Sequence, residues 1–418
     1  MKKLILLLLL IFGFCSNAFA TKFMYNFGSN TNNSADVSYW YIDGIGTSSA
    51  FEAQRFMPVA LPVKLSNLSV VTTIAPTAGQ GVIYTVFVNG VATALTCTIP
   101  DLLLVCTDTT HTLYLNKNDN VSIYVTKSGT PTYGPFVGYV QAEIENNNYD
   151  SLVGSGANNT SVSNAVTNYL GLFTETPSTS EAAHQFVIPL DGYLSKLYVQ
   201  LSGIPGAGKS YTITVRKNGA DTALTIPVAD SATTNEDLFN RIAVSAGDLI
   251  AVSVVPSGTP TARIVSFSAV YTSSISGYFI KGMNTGSTSL SPSSTYYTAF
   301  VGTIAPTTSG LTQNELIPPN LYLKRMYAYL ATAPDTGVGT QSYAITLRDS
   351  TASSNTTATC TISDIAQSCL FKYPVPLPAT DMRASYSAVP SGTPAASTLT
   401  VGGAFTLIPP QASNIKGY

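Results

Sequence analysis

Charge is scarce in this chain. Only 10% of its 418 residues are Asp, Glu, Lys or Arg, and it has two histidines and one tryptophan. No basic stripe or cluster of more than two adjacent Lys or Arg occurs, so the counterion release that drives binding to polyanions has no source, and nucleic acid is excluded as a partner. With two histidines, general-base chemistry has few starting points. His111 precedes the strand-like segment Thr112 to Leu115 and His184 lies just ahead of Phe186; neither accompanies a Gly-x-Ser-x-Gly nucleophile turn. Most acids sit where turns want them, as at Asp119, Asp248, Asp335 and Asp349. The reading is therefore non-enzymatic, with no catalytic, cofactor or metal residues to assign.

Long apolar runs are also missing, apart from the start of the chain. Lys2-Lys3, the apolar stretch Leu4 to Phe14 and Ala18-Phe19-Ala20 together read as an export signal, residues 1–20, cleaved before Thr21. About eleven apolar residues are too few to cross a bilayer as a helix, so no transmembrane anchor is expected. The mature chain would be secreted or at the cell surface, with the periplasm as second choice. An outer-membrane barrel would need lipid-facing alternation throughout, whereas the apolar segments here group into repeated units.

What the chain does have is a phrase written three times. Ser128-Gly129-Thr130-Pro131, Ser257-Gly258-Thr259-Pro260 and Ser391-Gly392-Thr393-Pro394 each join two apolar segments. Their spacing is that of whole domains rather than solenoid rungs. Residues 21–144, 145–272 and 273–408 are expected to be three modules, followed by a tail at 409–418. Within the second, Leu194 to Leu201, Tyr211 to Arg216, Ala223 to Ile226, Ile242 to Ser245, Leu249 to Val255 and Arg263 to Tyr271 read as strands, with Lys217-Asn218-Gly219 as a tight turn that needs positive φ. Asn235 to Arg241 is the one candidate for a helical turn. About eight strands per module with turns every 8 to 12 residues predict an all-β chain of three tandem antiparallel β-sandwich domains of jelly-roll type. The prolines Pro374, Pro376 and Pro378 demote one strand of the third module to an edge or a loop. Short junctions imply modules that abut. A linear rod and a pseudo-threefold cluster both satisfy this pattern.

Cysteine placement follows the same copying. Cys15 belongs to the export signal, which leaves Cys97 and Cys106 in the first module and Cys360 and Cys369 in the third. The second module has Ile226 and Asn235 at the corresponding positions, so both members of a pair are lost together. Two local disulfides, Cys97–Cys106 and Cys360–Cys369, are expected.

One motif is misleading. Gly203-Ile-Pro-Gly-Ala-Gly208-Lys209-Ser210 has the spacing of a phosphate-binding loop. That chemistry requires a helix to open directly after Lys-Ser, whereas Tyr211 to Arg216 alternates as a strand. The first and third modules carry Gln80 and Gln341 in the matching loops. The segment is read as a strand connector, and no nucleotide is expected.

The run Val215-Arg-Lys-Asn-Gly219, Ala223-Leu-Thr, Val244-Ser-Ala-Gly-Asp248-Leu-Ile-Ala-Val-Ser-Val254 and Ser257-Gly-Thr-Pro260 resembles the jelly-roll modules repeated in exported bacterial and phage-borne structural proteins. Its Gly-Asp turn before an alternating strand is similar to the complement and tumour-necrosis-factor type of jelly roll. The resemblance implies a structural or adhesive protein of the cell surface or an extracellular fibre, able to self-associate or to bind a surface protein or glycan. The alternative is a carbohydrate-binding array that uses exposed aromatics. Its candidate contacts are Tyr39, Trp40 and Tyr41 in the first module and Tyr296 and Tyr297 in the third, although half of such a strand would face the sandwich core.

Overall fold

A computed structural model describes residues 20–407, apart from 30–36, 46–47, 52–54, 132–133, 157–158, 174–175, 311–313, 338 and 379. Residues 1–19 of the expected export signal and the expected tail at 409–418 lie outside the described residues. Thirty strands and no helix appear among them. The first ten are β1 (Thr21–Ser29), β2 (Val37–Trp40), β3 (Gly44–Ile45), β4 (Met57–Pro58), β5 (Val63–Thr72), β6 (Gly81–Val88), β7 (Val91–Ile99), β8 (Val105–Leu115), β9 (Asn120–Ser128) and β10 (Phe136–Ile144). The next nine are β11 (Asp150–Gly156), β12 (Asn168–Leu170), β13 (Phe186–Val187), β14 (Gly192–Leu201), β15 (Gly206–Lys217), β16 (Ala220–Asp230), β17 (Thr234–Val244), β18 (Leu249–Ser257) and β19 (Val265–Ser273). The last eleven are β20 (Phe279–Asn284), β21 (Tyr296–Thr298), β22 (Gly302–Thr303), β23 (Glu315–Ile317), β24 (Tyr322–Leu330), β25 (Ser342–Asp349), β26 (Ser354–Ser363), β27 (Ser368–Phe371), β28 (Val375–Pro376), β29 (Met382–Ser391) and β30 (Leu399–Thr406).

These strands form six sheets in three matching pairs. In the first pair, β1-β10-β5-β8 faces β2-β9-β6-β7. The second repeats this as β11-β19-β14-β17 and β12-β18-β15-β16, and the third as β20-β30-β24-β27 and β21-β29-β25-β26. Apart from the hairpins β6-β7, β15-β16 and β25-β26, neighbouring strands on these paths are distant in sequence, as in the double Greek key of a jelly roll. The apolar alternation explains the layering. In β16, for example, Leu224, Ile226 and Val228 are buried while Asp221, Thr225 and Pro227 face outward.

Turn chemistry holds the copies in register. Asn89-Gly90 and Asn218-Gly219 both lie at positive φ, and Gly129, Gly258 and Gly392 of the repeated phrase do so as well. Asn235 to Arg241 is extended rather than helical, which corrects the one helix expectation. Asp237 causes the irregularity there: its Oδ1 accepts hydrogen bonds from the backbone N–H of Phe239 and Asn240, producing a bulge inside β17. The proline-rich segment survives as the two-residue edge strand β28.

Both expected disulfides are present, Cys97–Cys106 with Cα atoms 5.6 Å apart and Cys360–Cys369 at 5.8 Å. Each ties β7 to β8, or β26 to β27, and so closes one open side of a sandwich.

Candidate functional site

The three jelly rolls meet in a closed ring. The short strand β4 packs against β11, β14 and β19; its counterpart β13 packs against β20, β24 and β30; β23 packs against β1 and β10. The first module therefore docks on the second, the second on the third, and the third on the first. At the centre β1, β11 and β20 touch one another, and one apolar cluster runs through all three modules.

Register gives the equivalences. Met57, Phe186 and Glu315 occupy the same place in the docking strands, opposite Val121, Ile250 and Ala384. On the receiving strands, Asn26, Gly154 and Gly282 correspond, opposite Tyr139, Ser268 and Gly402. Two of the three interfaces press a large apolar side chain onto a glycine. A Cβ on Gly154 would lie 2.9 Å from Met57 Sδ, and one on Gly282 would lie 2.0 Å from Phe186 Cε2. The third interface keeps an apolar contact, Leu316 against Val137 and Tyr139, but is polar at the equivalent position. There Glu315 takes the apolar position, and Asn26 Nδ2 donates to the Leu316 carbonyl at 2.7 Å.

A buried charge cluster accompanies this exception. Lys281, in line with Tyr25 and Val153, lies on the innermost strand of the third module; Asp43, in line with Phe173 and Val301, belongs to the first. Lys281 Nζ is 2.6 Å from both Asp43 oxygens. Both residues are sealed from solvent, at 1% and 0% side-chain exposure. Asp43 Oδ1 also accepts from the Asn26 backbone N–H at 3.3 Å. Aromatic rings line the site, with the Phe173 centroid 5.0 Å and the Tyr25 centroid 5.6 Å from Lys281 Nζ. Glu315 is fully buried as well; one oxygen accepts from Val301 N–H at 2.9 Å, and Oε2 has no hydrogen-bond partner.

Burial dominates the protonation of this cluster. It lowers the Lys281 ammonium and raises the Asp43 carboxyl, each effect being opposed by the other member of the pair. Desolvation pushes Glu315 up to about 8, with Asp43 adding to the rise. Tyr25 is raised by burial and by Asp43, and Tyr386 by burial and by Glu315. Two carboxyls and one amine in a dry site cannot all be charged without leaving one negative charge uncompensated. The cluster consequently keeps a carboxyl proton.

The aromatics singled out in the sequence are placed differently. Trp40 and Tyr41 are 2% and 3% exposed, which corrects their reading as ligand contacts. Trp40 packs edge-on against Phe136 at 5.1 Å, and its Nε1–H donates to Ser38 Oγ. Tyr39, Tyr296 and Tyr297 are half-buried; Tyr39 meets Phe87 edge-on and Tyr124 at a tilt.

His184 is buried beside Phe173 and Phe186 in a small cleft between the second and third modules. His111 contacts Asp108, whose Oδ1 accepts from the Thr110 and His111 backbone N–H groups, so it belongs to a bulge like that of Asp237. The Gly203 to Ser210 loop passes directly into β15, with no helix behind Ser210.

Sequence reasoning passed over Lys281, Asp43 and Glu315. A signal was available in Lys281, the one charge inside the apolar segment Tyr278-Phe279-Ile280-Lys281-Gly282-Met283.

No family model matches this chain, and no curated protein matches it. Among solved structures it is similar to the archaeal-virus protein described under "The Triple Jelly Roll Fold and Turret Assembly in an Archaeal Virus", at 11% identity over 82% of this chain and 78% of that one, with a TM-score of 0.20. It is also similar to the insecticidal delta-endotoxin Cry8Ea1 from Bacillus thuringiensis, at 10% identity over 58% of this chain and 60% of that one, with a TM-score of 0.18. Both likenesses are weak and lie at the level of the fold. Among the described residues, no helix is long and apolar enough to cross a membrane. The two disulfides are consistent with an exported protein.

Proposed function

We propose that this chain is an exported, non-enzymatic structural or adhesive protein of the cell surface or an extracellular fibre, working through the outer surfaces of its three jelly rolls. The observation that carries this reading is the use made of buried polar chemistry: the Lys281, Asp43 and Glu315 cluster joins the third module to the first. The charge-poor, hydroxyl-rich surface suits close packing against another protein. Apolar tips stand out from it, with Leu102, Leu103 and Leu104 exposed at 71%, 52% and 45%, and Phe239 at 96% on the bulge of β17.

Light scattering on the purified mature protein, with negative-stain imaging, tests the proposal. Assemblies larger than one chain are expected, and a Leu103→Ser/Phe239→Ser variant should shift them toward single chains. A strictly monomeric protein that also fails to bind producing cells or any of their surface proteins overturns it.

A further inference from the structure

We propose that Lys281 and Asp43 condense to an intramolecular amide, so that the third module is covalently tied to the first. Lys281 Nζ lies 2.6 Å from each Asp43 oxygen, inside the distance of an ordinary ion pair, and neither side chain reaches solvent. The partners are 238 residues apart in sequence, and the bond would bridge the interface between the third module and the first.

The surroundings favour the reaction. In a dry site lined by Tyr25 and Phe173, the pair has an alternative to charge separation, namely free amine with carboxylic acid. Burial biases both groups that way, lowering the ammonium and raising the carboxyl. A desolvated lysine amine is a nucleophile. Its lone pair attacks Asp43 Cγ, a new N–C bond forms, and the bond from Cγ to one carboxyl oxygen breaks. That oxygen leaves as water, carrying the acid proton and one proton from the amine. No oxidant, reductant or activated co-reactant is required. The product is a neutral amide, and its formation removes the cost of holding two opposite charges in the core.

Glu315 supplies what such a step needs from a neighbour. It is a buried carboxyl within electrostatic reach of both partners, and its Oε2 has no hydrogen-bond partner. Protonated, and after a side-chain turn that brings the unpartnered Oε2 to the departing oxygen, it can give its proton there and recover one from the attacking amine. Tyr25 and Tyr386 are the other titratable groups facing the cluster.

Mass spectrometry of the reduced full chain decides the matter, whether or not the protein self-associates. The wild type should be lighter than its sequence mass by one water, about 18 Da. Trypsin should yield a branched peptide joining residues 23–55 to 264–324, uncut at Lys281. Lys281→Met should have its full sequence mass. Glu315→Gln should retain the fold by circular dichroism yet link more slowly, by about tenfold or more. A folded wild type of unreduced mass, containing free peptides that end at Lys281, overturns the proposal. A Glu315→Gln chain that links as fast as wild type overturns the part assigned to Glu315.

Discussion

Asn235 Nδ2 donates a hydrogen bond to the Pro227 carbonyl at 2.6 Å, joining β17 to β16 where the other two modules carry a disulfide. The neighbouring position, Ile226, corresponds to Cys97, and Asn235 itself corresponds to Cys106. The second jelly roll closes its open side with this amide hydrogen bond, a Thr225 N–H bond to the Asp237 carboxylate and packed apolar groups.

Installing the missing bridge should therefore stabilise the second module. Ile226→Cys with Asn235→Cys is expected to form a disulfide and contribute on the order of 2 to 3 kcal/mol for a loop of this length. Asn235→Ala alone should cost about 1 kcal/mol. Denaturant unfolding with and without reductant separates the two effects.

The glycines under the docking strands should tolerate no side chain. Gly282→Ala would bring a methyl group within 2.0 Å of Phe186 and 2.3 Å of the Val401 carbonyl, and a loss of about 2 kcal/mol or more is expected. Gly208→Ala is the control: it sits at φ +68 with nothing within 4 Å of an added Cβ, so only backbone strain of about 1 kcal/mol remains. Thermal melts of the two variants should rank them in that order.

Glu315 predicts the sign of a pH effect. Its carboxyl titrates near 8 in the folded chain because burial disfavours the charged form, against about 4.3 when unfolded. Between those values the folded chain holds a proton that the unfolded chain has released. Stability should thus fall as pH rises from about 4.5 to 8 and level off above, by a few kcal/mol at most. Glu315→Gln should flatten that part of the profile. Denaturation midpoints at pH 5 and 8.5 measure it, and a wild-type difference that persists unchanged in the variant would contradict the assignment.

The loop at Gly203 to Ser210 should ignore nucleotides. Gly208 N–H is already bonded to Asp230 Oδ1 at 2.7 Å, and the strand continues straight on. Magnesium-ATP at roughly 1 mM should leave the melting temperature unmoved, since ligand stabilisation follows occupancy. Lys209→Ala should behave like wild type in the same assay.

How much of this could be read from residues alone depended on repetition. Asn89-Gly90, Asn218-Gly219 and the paired cysteines are local signals, and copying multiplied them, so strands, turns and disulfides were legible. The ring was not. Its docking strands β4, β13 and β23 are two or three residues long, and Met57, Phe186 and Glu315 share a position without sharing any chemistry. Trp40 and Tyr41 show a different limit: alternation marks a strand with two faces, and only the opposing sheet decides which face is covered. Phe239, set outward by the Asp237 bulge, belongs to a segment that looked helical because its polar residues suit a turn.

Because every docking strand already fills the receiving groove of the next module, the contact that holds these three jelly rolls together leaves no spare donor and no spare acceptor. A head-to-tail arrangement that failed to close would recruit further chains without end; this one terminates at three within a single polypeptide. Any polymer built from the molecule must accordingly grow through an unrelated contact, which can be altered by mutation without loosening the block itself.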